Sequence, residues 1–212
     1  MSLSKQIIWL LSIQVLVFSL LFSVFTMARE IYPRKVPESQ THIHWNLYVD
    51  KNIEPLYFME IKQAAARWTE ATNHIAELDV IPITSENRNI IRHDPDALVI
   101  TIVTEDNPDI IRLDEDNNEG TVAFFRLKSP IPTLAYAGDR LTDDDFMKVT
   151  MHELGHTLKL EHMEGPANAG HLMYPMVGLM SNGITKEDLM QFCTIWHCDA
   201  NKLKYEEESL HL

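Results

Sequence analysis

Two histidines stand four residues apart, at His152 and His156, and Glu153 directly follows the first. Residues four apart on a helix lie one turn apart on one face, so both imidazoles can reach a single ion. A glutamate beside the first histidine then stands next to any water on that ion, placed to take its proton. The spacing therefore demands a helix here, and the flanking residues agree. Thr142 is a good N-cap, and Asp143, Asp144 and Asp145 fill a first turn that favours negative charge. A third histidine, His162, follows six residues after His156. On an unbroken helix it would point about 120° away, so it can join the pair only if the helix stops.

Around this helix the chain reads as alternating short elements. Ile43, Trp45, Leu47 and Val49 follow the period-two pattern of a half-buried strand. Pro55 suits a first helical turn, after which Phe58, Ile61, Ala65, Trp68 and Thr72 share one face and Asn73 is a stop. Leu98–Val103 reads as a central strand by its β-branched content, with two more short strands at Thr121–Leu127 and Leu134–Ala137. A last helix is signalled by Thr185, with Asp188 three places on and an Ile184–Leu189 pair set as a hydrophobic staple. This order predicts an α+β domain with helices on one face of a mixed sheet.

Charge and the terminal segment narrow the setting. With 18 basic and 31 acidic residues the formal charge is −13, which disfavours nucleic acid as a partner. The acidic residues within Asp94–Asp116 read as a solvated face. Ca2+ is the alternative there, since Asp114, Asp116 and Asn118 begin like a calcium loop. Gly120 comes one place late for an EF-hand, and Phe125 stands where its glutamate belongs. Residues 1–28 carry an apolar run from Ile7 to Met27, long enough to span a membrane, yet Thr26-Met27-Ala28 has the small residues of a signal-peptide cleavage site. A membrane anchor and a cleaved signal peptide both remain open, and each places the rest of the chain outside the cytoplasm. Residues 29–40, with Pro33 and Pro37, read as a linker, and 206–212 as a polar tail. Cys193 and Cys198 are five apart. A bridge between them requires the helix to end near Trp196, and free thiols or metal binding are the alternatives.

The stretch from His152 to His162 resembles the metzincin motif His-Glu-x-x-His-x-x-Gly-x-x-His. Leu172-Met-Tyr-Pro175 resembles the Met-turn of the matrixins, and a weaker likeness extends over 41–205. The resemblance implies a zincin-like catalytic domain with a mixed twisted sheet, two long helices, an active-site cleft and a small lower lobe ending in a helix. It implies a secreted or membrane-anchored endopeptidase, with one Zn2+ on His152, His156 and His162 and Glu153 as general base. A protein or peptide substrate would bind in extended form along Leu134–Gly138, with Pro175, Met176 and Val177 lining a pocket. Two departures stand out. Lys159 replaces the glycine that turns the chain toward the third ligand, and Tyr136 stands where many matrixins bind a second, structural zinc, so that ion is not expected. Two other readings compete: a zinc peptidase with a distant glutamate as third ligand, and a zinc-containing binding module without turnover.

Overall fold

A computed structural model describes residues 42–117, 120–126 and 131–205. The apolar amino-terminal segment, the linker and the polar tail lie outside the described residues. Among the described residues no helix is long and apolar enough to cross a membrane.

Strand β1 (Ile43–Val49) turns Ile43, Leu47 and Val49 into the main core, as its alternation predicts. Helix α1 (Pro55–Ala71) follows, with Pro55 in its first turn and Ile61, Ala64, Ala65, Trp68 and Ala71 buried. Asn73 and His74 then take left-handed φ values of 50° and 62° and release the chain into β2 (Ala76–Pro82), parallel to β1. Helix α2 (Arg88–Ile91) precedes β3 (Ala97–Val103), which pairs parallel with β1 on its other side. Helix α3 (Pro108–Asn117), β4 (Ala123–Arg126) and β5 (Thr133–Ala137) complete the sheet. Its order is β2-β1-β3-β5-β4, parallel except for the antiparallel β4–β5 pair. Helices α4 (Asp143–Thr157) and α5 (Lys186–Trp196) close the fold.

The main core lies between one face of the sheet and helices α1, α4 and α5. The Trp68 indole N–H donates to the Met151 carbonyl at 2.8 Å and so ties α1 to α4. Trp68 is fully buried, and truncation to alanine would cost about 3–5 kcal/mol.

Three expectations need correction. Helices do not cover only one face: Ile110 of α3 packs with Phe124, Ala135 and Ala137, and Ile91 of α2 with Tyr48 and Ala97, on the opposite side. A mostly parallel sheet is apolar on both faces and has to bury both. The acidic stretch is not simply a solvated face. Asp94 accepts from Asn46, Tyr48 and the Asp96 N–H, and Asp114 accepts from Arg140 and the Thr121 N–H. Asp114 lies within α3, its carboxylate occupied by these protein donors. Finally, Leu134–Gly138 is not an edge. Strand β5 bonds to β3 on one side and β4 on the other, leaving no row of backbone groups for an added strand. On this side of the sheet the edge strand is β4.

His44 sits on the outer sheet face between Asp79 (3.1 Å) and Asp96 (3.7 Å). The hydrogen bond that His44 donates to Asp79 outweighs burial and raises the histidine's pKa above 6.5. A raised folded-state pKa gives stability that is complete below the unfolded value and lost as pH rises through the folded one. The stability difference between wild type and His44→Asn, measured by urea unfolding, should therefore be largest below about pH 6.5 and shrink above it.

Candidate metal centre

Helix α4 presents His152 and His156 one turn apart, as their spacing requires. Thr142 caps it, its hydroxyl accepting from the Asp145 N–H. What brings in the third histidine is the way this helix ends. The Leu160 N–H bonds back to the Gly155 carbonyl at 3.0 Å, and the Lys159 N–H to the His156 carbonyl at 2.9 Å. These two bonds form a Schellman motif, whose left-handed residue is usually glycine. Here it is Lys159, at φ 70°. A non-glycine residue there costs about 1–2 kcal/mol. Part of that is offset locally, because the Lys159 ammonium lies 5.4 Å above the Trp196 ring.

The chain then doubles back. The His162 Nε2 comes to 3.1 Å from that of His156 and 3.2 Å from that of His152. On the far side of two rings, His152 Nδ1 lies 2.7 Å from the Leu172 carbonyl and His156 Nδ1 2.8 Å from the Leu160 carbonyl. A carbonyl only accepts, so both Nδ1 atoms carry the proton and both Nε2 atoms are bare. Burial, then repulsion from neighbouring histidines, holds His152 well below 6.5 and pushes His156 down to about 3, so neither ring becomes cationic near neutral pH. His162 Nε2 can meet these two lone pairs either by donating a proton to them or, when it too is bare, by sharing a cation with them. Tetrahedral zinc with Zn–N bonds of about 2.0–2.1 Å sets its nitrogens about 3.3 Å apart, which the observed spacing fits. An all-imidazole donor set suits zinc, copper, nickel or iron rather than calcium or magnesium. Among the described residues this triad is the group of three or more side chains able to hold a metal ion.

Glu153 is 2% exposed, and burial raises its pKa to about 8. A dication beside it works in the opposite direction and favours the carboxylate. Beneath the histidines, Leu172 and Met173 form a hydrogen-bonded hub. Their N–H groups donate to the two Asp188 carboxylate oxygens at 3.1 and 3.0 Å. Their carbonyls accept from His152 Nδ1 and from the N–H of Met163, the residue after the third ligand. Met173 is fully buried, and a Cβ added to Gly155 would come within 2.5 Å of its sulfur. Glycine at that motif position is thus what lets the methionine lie close under α4.

Helix α5 supplies the remaining supports. Gln191 donates to the Glu161 carbonyl and accepts from its N–H, bracketing the residue before His162. The Trp196 indole donates to the Leu158 carbonyl at 2.8 Å, fixing the chain just ahead of Lys159. The helix ends at Trp196 with His197 left-handed, and Cys193 and Cys198 are disulfide-bonded. The sequence shows Asp188 as the partner of Thr185 in a capping box, and that box forms. Its second duty under Leu172 and Met173, like the roles of Gln191 and Trp196, carries no sequence signal because each joins segments distant along the chain. His171 stands apart from the triad, beside Thr185 and Glu187. Pro175 and Met176 are half-buried and Val177 is buried.

No model of a known protein family matches the chain, and no curated protein matches it significantly.

The apoprotein should bind one zinc per chain, measured by metal analysis after dialysis, and His162→Ala should weaken binding by at least about 100-fold. Lys159→Gly should leave zinc affinity intact and change stability by no more than about 1 kcal/mol, the relieved strain being offset by the lost contact with Trp196. Lys159→Val should destabilise by about 1–2 kcal/mol, because a β-branched residue tolerates φ > 0 worst.

Proposed function

We propose that this chain is a zinc-dependent endopeptidase of the metzincin kind, closest to the matrixins in its motif. One observation carries the reading: three histidine Nε2 atoms converge on a point at the end of the helix that also bears the buried carboxyl of Glu153. Histidines kept for packing would not have two Nδ1 atoms pinned to carbonyls so that the opposite nitrogens crowd together. The left-handed turn at Lys159, where the metzincin motif has its glycine, supports the same assignment.

Zinc held by His152, His156 and His162 would acidify a bound water and polarise a substrate carbonyl. Glu153 would take a proton from the attacking water as the water's oxygen bonds to the scissile carbonyl carbon. It would then hand that proton to the amine nitrogen as the C–N bond breaks, so one carboxyl would serve first as base and then as acid. Burial keeps competing water from the carboxyl, and the Leu172 and Leu160 carbonyls keep two imidazoles in the tautomer that leaves Nε2 for the metal. An extended peptide would pair with β4 as an added strand. The disulfide fits an oxidising compartment and agrees with a domain placed outside the cytoplasm by residues 1–28.

Glu153→Gln separates catalysis from metal binding. The amide is nearly isosteric but cannot take the proton, so zinc content should stay near one per chain while turnover of an unfolded protein substrate falls by about 100-fold or more. Loss of zinc in this variant would make Glu153 a ligand or structural carboxylate instead. Full activity would assign the base to another residue, and inactivity of wild type on every unfolded substrate would favour a binding module.

A further inference from the structure

The Cys193–Cys198 disulfide has no part in the proposed chemistry, yet it encloses Trp196, the last residue of α5. On that tryptophan the end of α4 rests. Its indole N–H donates to the Leu158 carbonyl at 2.8 Å, and the Lys159 ammonium lies 5.4 Å from its ring. Lys159 carries the left-handed φ of 70° that turns the chain back toward His162. Earlier on α5, Gln191 makes two hydrogen bonds to the backbone of Glu161. Helix α5 thus holds positions 158, 159 and 161 of the segment that delivers the third histidine.

Helix ends are where structure opens first, and a strained turn such as that at Lys159 persists only while its surroundings hold it. The backbone leaves α5 through a left-handed His197, with the Cys198 N–H bonded back to the Cys193 carbonyl at 3.2 Å. The sulfur bridge joins that same pair of residues, so it locks the turn in which Trp196 sits. A loop this short constrains the unfolded chain less than a long one would. The position of the bridge therefore tells more than its loop does. Cys193 is buried and Cys198 half-buried, so an attacking thiol reaches the bridge from the Cys198 side.

We propose that the disulfide and the histidine triad are coupled through Trp196: reducing the bridge weakens metal binding, and metal on the triad makes the bridge harder to reduce. The chemistry is thiol–disulfide exchange. The thiolate of a small thiol attacks Cys198 Sγ, the S–S bond breaks, and Cys193 leaves as a thiolate that takes up a proton. A second small thiol attacks the mixed disulfide and frees Cys198 as a thiol, so two small thiols are oxidised to one disulfide. The last turn of α5 then loosens, the Leu158 carbonyl and Lys159 lose their support, and His162 is held less firmly at the site. Coupling between two sites is reciprocal by thermodynamic necessity. The inference rests on the metal-binding part of the reading above and not on peptide cleavage.

The test uses the whole chain, with free zinc clamped by a chelator buffer and folding checked by circular dichroism. Cys193→Ser/Cys198→Ser leaves no thiols to bind zinc themselves. It should bind zinc about tenfold more weakly than the oxidised wild type, the lower end of the range for outer residues that orient a ligand. Trp196→Phe should weaken binding to a similar degree, and adding it to the two serine substitutions should change little more. Equal zinc affinity in the folded serine variant and the wild type overturns the coupling. Multiplicative losses overturn the route through Trp196. Titration of the wild type in glutathione buffers needs no substitution, and it decides the matter if the serine variant fails to fold. Saturating zinc should lower the reduction potential of the bridge by about 30 mV, the equivalent of tenfold for a two-electron couple. An unmoved or raised potential overturns the coupling. Oxidised wild type that takes up no zinc would remove the metal-binding reading and this inference together, whereas tight binding without redox dependence removes this inference alone.

Discussion

The site depends on a helix that stops in time. If α4 ran on past Thr157, His162 would be carried around to another face, and the candidate metal site would keep two histidines. The stop is made by a Schellman motif whose left-handed residue is a lysine, so the chain accepts local strain at the point that brings the third histidine in. Such strain persists only where the surroundings over-determine it. Here Trp196 does so twice, donating to the Leu158 carbonyl and lying under the Lys159 ammonium.

The same logic extends through the lower part of the site. Leu172 and Met173 use both their N–H groups and both their carbonyls, on Asp188, His152 and Met163. One short segment therefore fixes the tautomer of His152, the path of the chain beside His162, and its own seat on α5. Histidines held this way would need little further ordering to take up a metal ion. The disulfide closes the end of α5, the helix on which Asp188, Gln191 and Trp196 all sit.

Electrostatics is arranged to match. Burial keeps His152 and His156 neutral, the form that coordinates, and keeps Glu153 out of bulk water where its proton affinity can respond to a nearby cation. Some of the chain's carboxylates serve the fold instead: Asp94 accepts from Tyr48 of β1 and the Asp96 N–H, and Asp114 ties α3 to Thr121 and Arg140.

By itself the sequence determined the elements whose signals are local. Helix α4 with its cap and histidine spacing, the period of β1, the capping box of α5 and the need for a turn at Lys159 all follow from residues within a few positions of one another. The identity of the three candidate ligands was legible for the same reason. Tertiary structure alone decided which strand lies at the edge, since Leu134–Ala137 and Ala123–Arg126 have similar composition and only pairing separates an inner strand from an outer one. It decided that α2 and α3 cover the second sheet face, because that follows from the order of parallel strands. It also decided the supports of the site, including Asp188 under Leu172 and Met173 and Gln191 beside Glu161. Each of these joins positions far apart in the chain, and a hydrogen bond across such a distance leaves no periodicity for a sequence to display.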